Sequence, residues 1–275
     1  MHLSRIQHDL GSITLLDLSC LAELISQSQS EKSLPNQKID LSTIINSSSQ
    51  ALTEHVSGVI FEPINGFEAI TQKNDDCGLA LALTDKSEQH QPTELPTFYP
   101  NWGVEFVRHN YGLAYLKLFY HPGEPKASEK IQLVAEVYDH CLYEGIDLVL
   151  EISLFALNDQ KNTLEEFQEA QLLAVQDFRD KCHLMALEYA HSALACATLT
   201  AQLDVPWILV DRTPNYAEFK EQVRIAMESG AMGATLGQVL WQGLEVDQYQ
   251  QAVTTTVRDR VIELDRIIQE SLSAK

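Results

Sequence analysis

Residues 114–121 read Ala-Tyr-Leu-Lys-Leu-Phe-Tyr-His. Lys117 interrupts a run that is otherwise apolar or aromatic and of strand length, and helical periodicity begins only beyond Pro122-Gly-Glu-Pro125. A lysine in such a run either snorkels from a rim or is placed in a site. The next unit repeats the arrangement. An amphipathic helix over 131–142 stops near Gly145, and a second strand-like run, 146–152, carries Glu151 near its end. Two successive strand–helix units, each with one ionisable residue among apolar neighbours, predict a parallel β/α architecture with charged residues converging at one end of the sheet.

Working outward, strand-like runs recur at 11–18, 56–61, 78–83, 182–189, 205–210 and 231–236. Helical stretches separate them. Thr163 with Glu166, and Asn215 with Glu218, have capping-box spacing ahead of apolar helical faces. Val253, Val257, Val261, Leu264, Ile268 and Leu272 form the stripe of a last helix. Segment 26–37, rich in Ser, Gln, Asn and Pro, reads as an exposed loop, and 86–100, with Pro92, Pro96 and Pro100, as a second polar insertion. A boundary at 86–100 would leave the first part with three strands and little helix to cover them. One domain spanning 1–275 is therefore expected, and eight strand–helix alternations predict an α/β fold of the (β/α)8 TIM-barrel type.

At 275 residues the chain can bury a substantial core. Its 19 basic against 39 acidic residues, a formal charge of -20, argue against a surface built to embrace a phosphate backbone, so no nucleic-acid partner is expected. Cys20, Cys77, Cys141, Cys182 and Cys196 form no CxxC pair and read as free thiols of a reducing cytosol. No apolar stretch reaches signal-peptide or membrane-span length, which predicts a cytoplasmic protein without a membrane partner.

With strand parity as assumed, Asp17, Lys117, Glu151, Glu188 and Asp211 fall at or near the C-terminal strand ends, where barrel active sites are assembled. A lysine among acids can bind an anionic sugar derivative, relay a proton or, when desolvated, become a Schiff-base nucleophile. The same residues can equally be an ion-pair network closing the polar end of a barrel. The nine histidines show no HxxxH or Cys/His ligand pattern, and neither GxGxxG nor a Walker sequence occurs. Neither a metal nor a cofactor is expected.

The stretches Tyr115-Leu-Lys-Leu-Phe-Tyr120, Leu148-Val-Leu-Glu-Ile152, Val205-Pro-Trp-Ile-Leu-Val210, Val223-Arg-Ile-Ala-Met-Glu-Ser-Gly-Ala231 and Gly237-Gln-Val-Leu-Trp241 resemble the class I aldolase family of tagatose-1,6-bisphosphate and sulfofructose-1-phosphate aldolases. That resemblance implies a substrate pocket at the C-terminal strand ends and a lysine imine that stabilises the carbanion of reversible carbon–carbon cleavage. It carries Lys117 over as a substrate or proton-network lysine, Glu151 as a proton-network residue and Glu188 as the acidic neighbour of the nucleophile. The family's sixth-strand Leu-Lys-x-Glu pattern becomes Met185-Ala-Leu-Glu188, so Ala186 stands where the imine lysine is implied. The seventh-strand Leu-Ser-x-Gly pattern, which helps hold the anionic group, becomes Val210-Asp-Arg-Thr213, and the eighth-strand Gly-Arg pair becomes Gly237-Gln238. With Asp17, the residues Asp211, Arg212, Gly237 and Gln238 make up the candidate ligand-binding set, with Arg212 able to offset Asp211 if it turns inward.

These observations predict an aldolase-like barrel without the usual Schiff-base lysine. Its expected role is regulatory or metabolite-sensing, with a small sugar-like ligand and a protein partner or second copy. The alternative is a carbon–carbon lyase that uses Lys117.

Overall fold

The computed structural model describes residues 3–31, 40–85, 92–157, 163–213 and 215–273. In chain order it contains β1 (Ile13–Asp17), α1 (Cys20–Glu31), α2 (Leu41–Leu52), β2 (Gly58–Phe61), α3 (Pro63–Gly66), β3 (Gly78–Ala82), α4 (Val104–His109), β4 (Leu113–Tyr120), α5 (Ala127–Glu144), β5 (Leu148–Leu154), α6 (Leu164–Phe178), β6 (Leu184–Leu187), α7 (Ala193–Gln202), β7 (Trp207–Leu209), α8 (Tyr216–Glu228), β8 (Gly233–Leu236), α9 (Tyr249–Ala252) and α10 (Thr256–Ser273). The eight strands close in sequence order, β8 pairing with β1, and every pair is parallel. This is a (β/α)8 barrel, which leaves no sheet edge unpaired.

Strand alternation divides the core in two. Ile13, Leu15, Tyr115, Val149, Ala186 and Ile208 fill the lumen, while the intervening Leu16, Leu116, Leu150, Leu187 and Leu209 join the larger cluster under the helices. The lumen is also stoppered by a short 3₁₀ turn, Leu3–Ile6, whose Leu3 and Ile6 belong to the inner cluster. Its approach explains Gly78: a Cβ there would stand 2.1 Å from the Arg5 carbonyl oxygen.

The elements differ from the sequence expectation in instructive ways. Segment 26–31, expected as loop, continues α1 to Glu31, since neither Pro nor Gly interrupts it; 32–39 lies outside the described residues. β5 runs on to Leu154, so Glu151 stands inside the strand rather than near its end. β6 and β7 are shorter than their apolar runs, which places Glu188, Asp211 and Arg212 just beyond the strands. Thr163 and Glu166 form the reciprocal capping box, and Asn215 accepts from the Ala217 and Glu218 amides. The last stripe begins its helix at Thr256, with Val253 buried in the preceding turn. Among the described residues no helix is long and apolar enough to cross a membrane, and all five cysteines are free.

Of the second polar segment, 86–91 lies outside the described residues; the remainder is fastened to the barrel's upper end. Thr84 and Phe98 form an antiparallel bridge. Lys130, fully buried on α5, donates to Pro92 O at 2.6 Å, Phe119 O at 2.8 Å and Glu124 Oε2 at 2.7 Å. All three ammonium protons are thereby used. Removing one member of a buried pair leaves the other charge uncompensated. Lys130→Met is expected to cost about 3–5 kcal/mol in urea unfolding, and Lys130→Met with Glu124→Gln less; an unchanged midpoint in the single variant would show that the pair does not hold this end together.

Candidate functional site

The register aligns one inward residue from each of four neighbouring strands: Lys117 pairs with Glu151, Glu151 with Ala186, and Ala186 with Ile208. Because the side chains alternate, Tyr115 lies below Lys117, and Ser153 and Glu188 lie above Glu151 and Ala186. Arg212 continues the inward parity of Ile208 and Val210. It turns into the mouth.

The Glu151 carboxylate is the meeting point. Its Oε2 accepts from the Tyr115 hydroxyl, and its Oε1 accepts from Arg212 Nη2 and lies 3.6 Å from Lys117 Nζ. Arg212 Nη2 also donates to Ser153 Oγ, and Arg212 Nε is 3.3 Å from Glu188 Oε1. The guanidinium therefore starts on the β7 side, passes β6 and ends against β5. Ala186, in register with Glu151 and Ile208, is fully buried in the inner core. Side-chain exposure rises from 2% for Glu151 through 11% for Lys117 and 18% for Glu188 to 33% for Arg212, which orders them from the floor of the mouth to its opening. Lys117 Nζ also lies 5.4 Å from the Phe119 ring centroid.

The electrostatics follow from burial and crowding. Burial pushes the Glu188 carboxyl above the ordinary carboxylate range; Arg212 pulls it back, and the Glu151 charge pushes it up further. Burial, then Glu151 and Asp17, hold the Tyr115 hydroxyl well above its usual value, so it remains a donor. Burial opposes the Arg212 charge, but Glu151 and Glu188 together outweigh it and raise the guanidinium further. Asp17 faces the same space. Its Oδ1 is occupied by the Ser19 amide at 2.9 Å and by the Ser19 hydroxyl.

Asp211 belongs to an adjoining cluster. Alternation turns it away from Arg212, and its Oδ2 accepts from Gly237 N at 3.1 Å and Val239 N at 2.8 Å. The carboxylate thus takes up the amides at the end of β8, where the short turn Gln238–Trp241 begins. A Cβ on Gly237 would meet Asp17 Cβ and Cys20 Sγ at 3.5 Å, an ordinary contact, so the glycine is not required for space.

Of the residues singled out by sequence, the structure joins Lys117, Glu151, Glu188 and Arg212 directly. Asp17 stands close enough to be felt electrically, whereas Asp211 and Gly237 bond to each other and Gln238 opens the adjacent turn. Sequence reading missed Tyr115 and Ser153 as members of the network. Two-residue spacing from Lys117 and Glu151 was the available signal, since residues at i and i±2 of a strand share a face. For a metal, Glu105, His140 and Glu144 on α4 and α5 bring ligand atoms within 4.8 Å of one another, but His140 pairs with Glu105 at 3.1 Å and Glu144 with Arg108 at 3.0 Å. Ion pairing accounts for that cluster.

No family model matches the chain. The chain is similar to the tagatose 1,6-diphosphate aldolase of Staphylococcus epidermidis strain ATCC 12228, at 21% identity over 86% of this chain and 83% of that protein. It is likewise similar to tagatose 1,6-diphosphate aldolase 2 of Streptococcus mutans, at 21% identity over 99% and 94%. In fold it matches an archaeal fructose-1,6-bisphosphate aldolase solved with its catalytic lysine covalently bound to the carbinolamine intermediate, with a TM-score of 0.63, 16% identity and coverage of 94% of this chain and 98% of that one. These relatives support the resemblance to the aldolase family, and it extends over nearly the whole chain.

Two outcomes test the electrostatics. Burial raises the Asp211 carboxyl from 3.8 to about 7, against the two amides and Arg212, which favour its charge. The folded state therefore holds a proton that the unfolded chain has lost, and stability contributed at acid pH declines as pH rises from about 4 to about 7. Asp211→Asn resembles the protonated carboxyl; its urea midpoint should match the parent near pH 4 and exceed it at pH 8, and equal pH slopes would contradict the assignment. Separately, Arg212→Met removes the cation beside Glu188, so the Glu188 carboxyl, followed by carbon-13 NMR, should titrate at higher pH than in the parent.

Proposed function

We propose that the barrel mouth binds a small polar carbonyl or polyol metabolite as a sensing or regulatory site, and that it forms no imine on strand six. The observation that carries this reading is Ala186, fully buried in register with Glu151, whose carboxylate is bonded by the Arg212 guanidinium that also meets Ser153 and Glu188. The guanidinium supplies positive charge in this part of the site. It supplies no nucleophile, because a guanidinium held protonated has no free electron pair for addition to a carbonyl.

What remains suits recognition. Lys117 and the exposed part of Arg212 donate hydrogen bonds, Glu188 and Asp17 accept them, and Tyr115 sits below on Glu151. Such a set matches hydroxyl and carbonyl oxygens of a sugar-like compound. A bisphosphate fits it poorly: Asp211 already occupies the Gly237 and Val239 amides, and Gln238 stands where the resemblance implies an arginine. Occupancy of the mouth would be read by a protein partner or a second copy of the chain.

A second reading is favoured by one observation. Lys117 is the amine of this network, partly exposed, beside Glu151 and the Phe119 ring. If the chain is a carbon–carbon lyase, Lys117 forms the imine and Glu188, whose proton affinity is raised, exchanges the proton. Incubation with phosphorylated and unphosphorylated ketoses, borohydride reduction and intact mass separates the two. The sensing reading expects a saturable rise in Tm with no adduct; a lysine adduct abolished by Lys117→Met would replace it with the lyase.

The structure also predicts what restoring an amine does. A lysine at position 186 must enter the space beside Arg212 and compete for Glu151, and overpacking of this kind costs about 1–3 kcal/mol. Ala186→Lys alone should give no trapped adduct, whereas Ala186→Lys with Arg212→Ser, which vacates the path, should give a weak one. Efficient trapping by the single variant would show that Arg212 does not obstruct this position.

A further inference from the structure

Helix α7 reads Ala193-Leu-Ala-Cys-Ala-Thr-Leu-Thr-Ala-Gln202 and contains no acidic or basic residue, in a chain whose formal charge is -20. Cys196 and Leu199 are its buried side, whereas Ala193, Leu194, Ala197, Thr198 and Ala201 are exposed, Leu194 at 79%. Among the described helices of ten residues or more, α2 alone shares this lack of charge, and its exposed positions are the polar Ser42, Thr43 and Gln50. The outer face of α7 is therefore both uncharged and largely apolar. Beside it, between α6 and α7, runs an open groove of about 190 Å³ with Leu172 and Leu199 in its walls and Leu194 at its edge. Leu164, 50% exposed and one turn before Gln168 on the same row of α6, extends the apolar surface past the groove.

The polar groups of this face are already bonded within the chain. The Thr198 hydroxyl donates to Leu194 O at 2.8 Å, Ser192 Oγ accepts from Ala195 N at 3.1 Å, and Gln168 Nε2 donates to Ala190 O at 2.7 Å. Covering the face removes apolar surface from water and leaves those bonds in place. We propose that two copies of this chain pair through α7 about a twofold axis, with Leu194 of each copy seated in the groove between α6 and α7 of the other. Two features select a second copy as the occupant. A basic partner would be drawn to the acidic faces of the chain, whereas copies that each carry -20 repel one another wherever those faces meet and can close only through a face without charge. The face is also complementary to itself: it offers a projecting leucine and a hollow side by side, and a twofold pairing fills both hollows and covers both leucines at once. Alanine at 193, 197 and 201 lets the two helices approach closely, since the distance between packed helices is set by the side chains at the contact. The pairing gives a place to the second copy named above as a reader of the mouth, and it rests on the helix face alone.

Sedimentation of the whole chain without added ligand tests it. At loading concentrations up to about 100 μM, which covers the μM to pM range of ordinary interfaces, the parent should reach twice the 30.9 kDa of one chain. Leu194→Glu and Ala197→Glu each place like charges in the contact and should raise the dissociation constant about thirtyfold or more, the size of a hot-spot loss. Both positions are exposed, so these variants keep the fold. Tyr143→Glu, at an 85% exposed position on α5, should leave the pairing unchanged. Raising ionic strength from about 0.01 M to about 0.15 M shortens the screening length from about 30 Å to about 8 Å and should tighten the pairing. A parent that stays a monomer over this range, as it would if a different protein covers α7, overturns the proposal. So does a dimer that survives both α7 variants or that loosens as salt rises. Because no ligand of the mouth takes part, a monomeric parent leaves the proposed binding at the mouth standing, and a mouth that binds no metabolite leaves the pairing standing.

Discussion

A carboxylate inside a barrel must be compensated on every side, and Glu151 sets this requirement for the whole mouth. An uncompensated buried charge costs several kcal/mol or neutralises by binding a proton. Here Tyr115 bonds one oxygen, and Arg212 with Lys117 serves the other. Each partner comes from a position that strand parity turns inward. Tyr115 and Lys117 share a face of β4, and Arg212 continues the face of Ile208 and Val210.

The same logic operates around the rim. Asp211 gathers the amides that end β8, and Lys130 gathers Pro92, Phe119 and Glu124. In each, one side chain ties chain segments together: Asp211 Oδ2 joins the end of β7 to the Gly237–Val239 backbone, and Lys130 joins the Pro92 and Phe119 carbonyls to the Glu124 carboxylate. β7 spans only Trp207–Leu209 and shares a single register pair with β8, so the Asp211 bonds continue the seam where the ladder stops. Charge at the upper end of the barrel is therefore structural and site-forming together, and the two roles are separated by which face of the strand carries the residue.

That separation explains what sequence could reveal. Eight apolar runs alternating with helical stripes were enough for the barrel, because closure and burial leave few other arrangements for such a pattern. Lys117, Glu151 and Glu188 were legible as ionisable residues among apolar neighbours. Asp211 and Arg212 were not separable from one another by type alone: adjacent residues face opposite ways, and the shortness of β7 concealed where alternation begins. Tyr115 and Ser153 were hidden for the opposite reason, since an inward tyrosine or serine looks like ordinary strand composition until a buried acid is placed beside it. Lys130 was hidden inside a helix whose apolar face drew attention away from a charged residue with three acceptors waiting at the barrel top.

The placement of charge also constrains what the mouth can select. The chain carries a formal charge of -20, which repels multiply charged anions at long range, while the two cations of the mouth already face carboxylates. An incoming anion must draw Lys117 or Arg212 away from Glu151, leaving that buried charge less compensated, so part of the attraction is cancelled within the site. A neutral oxygen ligand meets no such opposition: it can accept from the outward-facing N–H groups while the ion pairs stay closed. On the function proposed above, a preference for uncharged, oxygen-rich ligands over bisphosphates would follow from how Glu151 is satisfied, whichever reaction the bound molecule undergoes.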